Sequence, residues 1–351
     1  MPTENHAQDM QDRYFMMLAI EQAKRGLYTT RPNPAVGCVI VQKEEIVGQG
    51  FHPKAGEPHA EIFALKEAGA RAVGATAYVT LEPCSHTGRT PPCALALVAA
   101  SVQRVVIAGL DPNPQVAGRG VKLLEQAGID VKIGVLTEQA ETLNRGFLKA
   151  MRTQMPYVRL KIATSLDGRT AMASGESKWI TSAAAREDVQ KLRAISGAII
   201  TGSETVIMDD PKLNVRSTQL GVSADEIPRP KVIVLDRRQR LAHSLQSDYQ
   251  LCRHTDTIYW HTDNLTGLLA ELVSKYQCYD ILVEAGASVA GSFLSQQLVD
   301  ELIVYQAPCL LGDQARPMVN FNPISLAQQL RFDIQSHEQL GSDLKLTLLP
   351  L

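Results

Sequence analysis

Several features are missing from this chain, and each absence removes a class of protein. No run of 18 or more apolar residues occurs in its 351 residues, so no segment is expected to cross a membrane as a helix. The opening stretch, MPTENHAQDMQDR, is polar and has no apolar core, so no secretory signal peptide is expected. Neither charge dominates. The 35 Lys and Arg against 37 Asp and Glu leave a net charge of −2, without the basic surplus that a nucleic-acid partner requires. Cysteine is sparse: the six, at positions 38, 84, 93, 252, 278 and 309, are too irregularly spaced for a disulfide framework. A reducing cytoplasm is the expected compartment. The chain also lacks internal repeats, low-complexity tracts and a G-x-G-x-x-G fingerprint.

What is present is a globular composition, 45% hydrophobic, in a chain of a length that suggests two domains of about 150 residues each. Helix and strand patterns alternate through the first half. Helices are expected over 12–25, 58–67, 92–100, part of 120–128 and 138–151. Strands are expected over 36–41, 45–51, 75–81, 104–109 and 131–135. Arg152-Thr153-Gln154-Met155-Pro156 marks the boundary, giving domains 1–151 and 152–351. The alternation then restarts, with strands at 157–164, 198–201, 232–235, 257–260, 281–284 and 301–306 and helices at 183–195 and 286–297. Residues 217–230 and 240–256 read as irregular connections. The pattern is that of an α/β protein.

Two stretches of the first half carry chemistry. Pro58-His59-Ala60-Glu61 opens a helix, and Glu82-Pro83-Cys84 follows a strand, with Cys93 beyond it. One His and two Cys hold Zn²⁺ and leave its fourth position open, as catalytic zinc requires. His59 and Glu61 are two apart and do not share a helix face, so His59 serves as ligand while Glu61 is left to carry protons. The order H-x-E, then P-C and a second Cys, matches the signature of zinc-dependent nucleobase deaminases. A structural zinc would instead need a fourth ligand, from Cys38, His52 or His86. Eight residues separate Cys84 from Cys93, leaving room for a substrate-contacting excursion in which His86 and Arg89 suit an anion such as phosphate.

The second half offers Ile281-Leu282-Val283-Glu284-Ala285-Gly286-Ala287-Ser288, a strand, a small-residue turn and a helix start. Backbone N–H groups at such a start bind phosphate, although ordinary connections look the same. Lys161, Arg193 and Arg216 are further candidates for a phosphate, and Trp179 for packing against a flat ring.

Together the two halves resemble one family, the bifunctional deaminase–reductase of riboflavin biosynthesis. The resemblance spans nearly the whole chain. It rests on Asn33-Pro34-Ala35-Val36-Gly37, His59-Ala60-Glu61, the stretch from Glu82 to Cys93 and Asp111-Pro112-Asn113-Pro114. In the second half it rests on 161–169, Ser177-Lys178-Trp179-Ile180-Thr181 and Asp210 to Arg216. The long loop between Cys84 and Cys93 is the most specific of these, since nucleic-acid and cytidine deaminases have a shorter one.

The resemblance implies a cytidine-deaminase-like α/β/α sandwich followed by a dihydrofolate-reductase-like α/β domain. It implies zinc and NADPH as cofactors, a phosphorylated pyrimidine as substrate, and a homo-oligomer formed through the reductase half. By position, His59, Cys84 and Cys93 would hold zinc, Glu61 would shuttle protons and Asn33 would lie near the first substrate. Ala163, Trp179, Thr205, Asp209 and the turn Gly286, Ala287, Ser288, Val289, Ala290, Gly291, Ser292 would line the NADPH site. Ser177, Arg193, Leu213, Arg216 and Glu284 would line the second substrate site, the two Arg suiting a phosphate. Asp167 and Glu284 are the guesses for a general acid. One departure stands out: the family commonly has Glu-Gly-Gly where this chain has Glu284-Ala285-Gly286, which matters if position 285 needs a positive φ.

Overall fold

A computed structural model describes residues 4–85, 92–113, 116–177, 180–241, 249–253 and 256–351. The chain divides into two units, Met1–Thr153 and Gln154–Leu351.

In the first unit, α1 (Glu4–Lys24) precedes the hairpin β1 (Gly37–Gln42) and β2 (Glu45–Phe51). Lys43 and Glu44 connect the strands with φ of 50° and 66°, the left-handed pair that a two-residue hairpin loop demands. There follow α2 (Ala60–Ala68), β3 (Thr76–Val79), α3 (Cys93–Ala99), β4 (Arg104–Ile107), α4 (Arg119–Gln126), β5 (Asp130–Ile133), α5 (Thr137–Thr142) and α6 (Arg145–Thr153). The sheet order is β2-β1-β3-β4-β5, antiparallel at β2-β1-β3 and parallel at β3-β4-β5. Alternate strand residues point to opposite faces. Ile40, Val79, Val105 and Ile107 pack with Ala60, Ala64, Leu97 and Leu124 of α2, α3 and α4. Val39, Val41, Tyr78 and Val106 pack with Phe15, Met16, Ala19 and Ile20 of α1. Helices therefore cover both faces, the sandwich expected from the resemblance.

The seat of α2 requires glycine. A Cβ at Gly48 would stand 2.1 Å from the Ala64 carbonyl oxygen, and one at Gly50 would stand 2.5 Å from that of Ala60. This close approach sets the height of the helix start that carries His59 and Glu61.

The second unit contains β6 (Tyr157–Ser165), β7 (Arg169–Ala171), α7 (Ala183–Ile195), β8 (Ala198–Gly202), α8 (Ser203–Asp209), β9 (Lys231–Leu235) and β10 (Thr257–Trp260). After them come α9 (Leu265–Ser274), β11 (Asp280–Glu284), α10 (Ala287–Ser295), β12 (Glu301–Ala307), β13 (Arg316–Pro317), β14 (Phe332–Leu340) and β15 (Asp343–Pro350). The order β10-β9-β8-β11-β6-β12-β15-β14 makes an eight-stranded sheet, with β13-β7 as a small ribbon. Its strands are parallel from β10 to β12, and the β14–β15 hairpin adds antiparallel strands at the end. Ile200, Leu160 and Val283 face α9 and α10. Ile199, Leu282 and Tyr305 face α7 and α8.

Three expectations change. The helix expected over 138–151 is two helices, because Asn144 at the break is recruited by a distant backbone. Its Oδ1 accepts from Ala35 N (2.7 Å) and its Nδ2 donates to Ala35 O (2.9 Å). His59 is not within the first turn of α2 but is its N-cap, with φ −75° and ψ 167°; its carbonyl accepts from Ile62 N. Finally, α8, α9 and the hairpin β14–β15 were not expected at all.

Candidate active sites

The first site forms where three segments meet. His59 caps α2, Cys84 lies beyond β3, and Cys93 is the first residue of α3. His59 Nδ1 is 3.3 Å from Cys93 Sγ and 3.6 Å from Cys84 Sγ, and all three donor atoms lie within 4.8 Å of one another. Cys93 N–H donates to Cys84 Sγ at 3.3 Å, and Ala94 N–H donates to the Cys84 carbonyl, so the start of α3 favours a thiolate. The thiol of Cys84 is lowered by its hydrogen bond from Cys93, and that of Cys93 is raised by the same bond and by burial. A divalent cation at this place would stabilise both sulfurs as thiolates. Two thiolates and an imidazole are the donor set of zinc. Among the described residues, no fourth His, Cys, Asp or Glu joins the group.

Glu61 stands in the first turn of α2 and is 3% exposed. Its Oε2 is buried without a hydrogen-bond partner. Burial pushes its carboxyl up to about 7, against the pull of the His59 ring. A buried carboxyl with one oxygen unpartnered, beside a metal-type donor set, suits proton transfer. Asn33 is brought in by His52, whose Nε2 is 3.0 Å from Asn33 Nδ2. His86 and Arg89 lie outside the described residues.

One supporting residue was not anticipated. Glu82, 4% exposed, accepts from the N–H groups of Asp111, Gly118, Gly120 and Val121 at 2.9–3.4 Å. It thereby ties the segment after β4 to the strand end that carries Cys84. Its place in the Glu-Pro-Cys run was the only signal.

The second site is a cavity of about 540 Å³ in the second unit. Ala163, Thr205, Asp209, Gly286, Ala287, Ser288, Val289, Ser177, Arg193, Leu213, Arg216 and Glu284 line it, and Lys161 and Tyr305 add to them. Trp179 lies outside the described residues. The expected turn contributes only its first part. Ala290 is in the core, Gly291 packs against the Asn320 carbonyl, and Ser292 Oγ donates to Ser288 O within α10; none of the three lines the cavity. Helical geometry explains this, because only the start of α10 faces the strand ends. Gly286 has φ −75°, and Ala285 is not among the residues of positive φ. The departure from Glu-Gly-Gly therefore costs no strain.

The charges also differ from expectation. Arg193 Nε and Nη2 donate to the two Glu284 oxygens at 2.6 and 3.0 Å, and its Nη1 donates to Asn214 O. Arg193 is thus engaged by Glu284 while it lines the cavity with Arg216. Arg216 donates from Nη1 to Asn214 Oδ1 at 3.2 Å and keeps its other guanidinium N–H groups. Burial opposes ionisation of Glu284, but Arg193 outweighs it and holds the carboxyl below its ordinary value. Asp167 does not line the cavity. It accepts from Ser165 Oγ, Leu311 N and Gly312 N, bonds that lower it to about 2, the Ser165 bond foremost. Lys161 Nζ lies 3.9 Å from Glu284 Oε2, and burial lowers its ammonium below the ordinary lysine range. Leu213 carries a φ of 43°, backbone strain at the cavity wall.

Comparison with known proteins decides the family. The RibD C-terminal domain matches residues 156–346, and the cytidine and deoxycytidylate deaminase zinc-binding region matches residues 9–109. The riboflavin biosynthesis protein RibD of Escherichia coli is 50% identical over 364 residues, covering 97% of this chain and 99% of that protein. That of Haemophilus influenzae is 49% identical over 366 residues, covering 97% and 98%.

The chain belongs to the RibD family.

Solved RibD-family structures agree. Acinetobacter baumannii RibD superposes with a TM-score of 0.92 at 55% identity, covering 98% of this chain and 99% of the other. A Thermotoga maritima protein does so with a TM-score of 0.88 at 30% identity, covering 98% and 100%; it is described as a diaminohydroxyphosphoribosylaminopyrimidine deaminase/5-amino-6-(5-phosphoribosylamino)uracil reductase. As a RibD-family member, the chain is a bifunctional enzyme of riboflavin biosynthesis, a deaminase and a reductase. No helix among the described residues is long and apolar enough to cross a membrane.

Proposed function

We propose that the two units perform successive reactions on one phosphorylated pyrimidine, 2,5-diamino-6-ribosylamino-4(3H)-pyrimidinone 5′-phosphate. The first unit removes an amino group as ammonia, and the second uses NADPH to reduce the ribosyl group to a ribityl chain. The observation that carries this reading is the convergence of His59, Cys84 and Cys93 beside the buried carboxyl of Glu61, whose Oε2 has no partner.

His59, Cys84 and Cys93 hold zinc. When bound, zinc supplies Lewis acidity that brings the pKa of water toward neutrality. Glu61 takes a proton from the attacking water and passes it to a ring nitrogen as the amino-bearing carbon becomes tetrahedral; it then takes the second proton from the new hydroxyl and delivers it to the departing amine. Water is consumed, the C–N bond breaks and a carbonyl remains. Asn33 orients the ring.

In the second unit, Ala163, Thr205, Asp209 and the α10 start from Gly286 to Val289 hold the cofactor. The backbone N–H groups of that start are suited to its phosphates. NADPH supplies the hydride. Ser177, Leu213 and Arg216 hold the sugar phosphate, with Arg216 as the charge and Arg193 fixing Glu284. Lys161, beside Glu284, is placed to donate a proton as the ribose ring opens. The exposed edge strand β14 supports assembly of a homo-oligomer through this unit. The free thiols of Cys38, Cys84, Cys93, Cys278 and Cys309 suit a reducing cytoplasm.

The test follows ammonia release and NADPH consumption together on the diamino compound. Ammonia first and NADPH loss second is the expected order. Zinc-replete protein giving neither signal would reject the substrate, and NADPH loss preceding ammonia would reverse the sequence of steps.

A further inference from the structure

His52 follows β2 and is 2% exposed. Its backbone N–H donates to the Val36 carbonyl at 3.0 Å. Its ring makes two polar contacts, Nδ1 at 3.1 Å from Pro58 O and Nε2 at 3.0 Å from Asn33 Nδ2. A carbonyl only accepts, so Nδ1 carries a hydrogen. An imidazole with hydrogen on Nδ1 keeps a lone pair on Nε2, which the Asn33 amide nitrogen, a donor only, faces at 3.0 Å. That lone pair requires a donor. The Asn33 amide therefore turns its NH₂ toward His52 and its oxygen away, and that oxygen has no hydrogen-bond partner among the described residues.

The same ring stands edge-on to His59, with centroids 5.2 Å apart at 79°. Its Pro58 contact holds the carbonyl of the residue just before that ligand. On the other side, Asn144 grips both backbone groups of Ala35, two residues beyond Asn33. The Asn33 amide is thus held in one orientation by the ring that also packs on His59.

We infer that His52 is a positioning residue of the deaminase site: it fixes the Asn33 amide so that its oxygen accepts an N–H of the pyrimidine edge. The inference rests on the deaminase reading above and adds a determinant of its specificity. Freed from His52, the amide rotates, and half of its orientations set its NH₂ donor against the pyrimidine N–H, where no hydrogen bond forms. His52→Phe removes both ring nitrogens at similar bulk. His52→Gln restores one acceptor for Asn33.

The experiment measures steady-state ammonia release, zinc content and calorimetric affinity for the deaminated pyrimidine in the full chain. His52→Phe is expected to keep its zinc and lose about 10- to 100-fold in kcat/KM, the cost of leaving a buried polar group unpaired. Asn33→Ala is expected to lose a similar factor, with the affinity falling in parallel. The double variant is expected to lose little more than either single one, because the residues act as a unit. His52→Gln should recover a good part of the loss. Multiplying losses in the double variant, equal impairment of His52→Gln and His52→Phe, or loss of zinc from His52→Phe would each overturn the inference. Absence of ammonia release from the unaltered chain would instead reject the deaminase reading on which it rests.

Discussion

The first unit gathers its chemistry from three short stretches, while the second spreads its own over at least six elements. His59 and Glu61 are two residues apart, and Cys84 and Cys93 nine, and the donor atoms converge within 4.8 Å. The cavity of the second unit draws on β6, α7, β8, α8, the segment after it, β11, α10 and β12. A metal site depends on element type, because only soft or borderline donors serve, so few residues carry it and none can be exchanged. A cofactor cavity depends on shape and on balanced charge, so many residues contribute and most contribute little. The two units should therefore fail differently when altered.

The sharpest contrast comes from Glu61→Gln. It keeps the shape and removes the proton carrier, so ammonia release should fall by about 10²- to 10⁴-fold while zinc content is unchanged. Turnover within a few-fold of the unaltered chain would remove Glu61 from the mechanism. The counterpart in the second unit is Glu284→Gln, which leaves the Arg193 guanidinium, 10% exposed, facing a neutral amide. Breaking a buried pair from one side costs about 3–5 kcal/mol. The expected result is a lower unfolding temperature for the second unit, with the zinc site intact. An unchanged melting curve would mean that this pair does not hold the cavity.

A smaller effect separates the units by pH. Asp12 is fully buried and receives both Arg104 Nη1 and Nη2, at 2.7 and 2.9 Å, and Lys132 Nζ at 2.8 Å. Burial would raise its carboxyl, but these bonds outweigh burial and hold it well below the usual carboxylate range. Its folded pKa thus lies below its unfolded one. The stabilisation is complete above the unfolded value, about 4, and is lost as pH falls through the folded value. Acid should unfold the first unit through this carboxylate. Asp12→Asn should lower stability at pH 7 by on the order of 2 kcal/mol and flatten the dependence below pH 4. A variant with the same acid profile as the unaltered chain would contradict that assignment.

The smallest effect is expected at Ala285→Gly. Position 285 does not use a positive φ, so glycine brings no relief of strain and costs at most about 1 kcal/mol in chain entropy. The KM for NADPH should stay within about twofold. A marked gain in cofactor affinity would show that Ala285 crowds the turn.

The same contrast explains what could be read before the fold was known. His59, Glu61, Cys84 and Cys93 were legible because few residue types bind zinc and their order is distinctive. The alternating strands and helices of both sheets were legible from periodicity. The hairpin β14–β15 was not, because seven of the nine residues of β14 are polar or exposed and give no apolar alternation. The helix α9 was missed although Asn264 caps it, its Oδ1 accepting from Gly267 N, and an apolar run follows. The split between α5 and α6 depends on Asn144 reaching Ala35, 109 residues earlier in the chain, which no local pattern reveals. The pairing of Arg193 with Glu284 was not legible, because the two lie 91 residues apart. Ion pairs of that separation are set by topology, not by local sequence.

The central claim is that one chain holds two separable active sites acting in order. Its most direct test places Glu61→Gln in the two-signal assay, first with the diamino pyrimidine and then with the deaminated one. The account predicts neither ammonia nor NADPH loss in the first case, and NADPH loss at the rate of the unaltered chain in the second. NADPH loss on the diamino compound without ammonia, or none on the deaminated one, would contradict it.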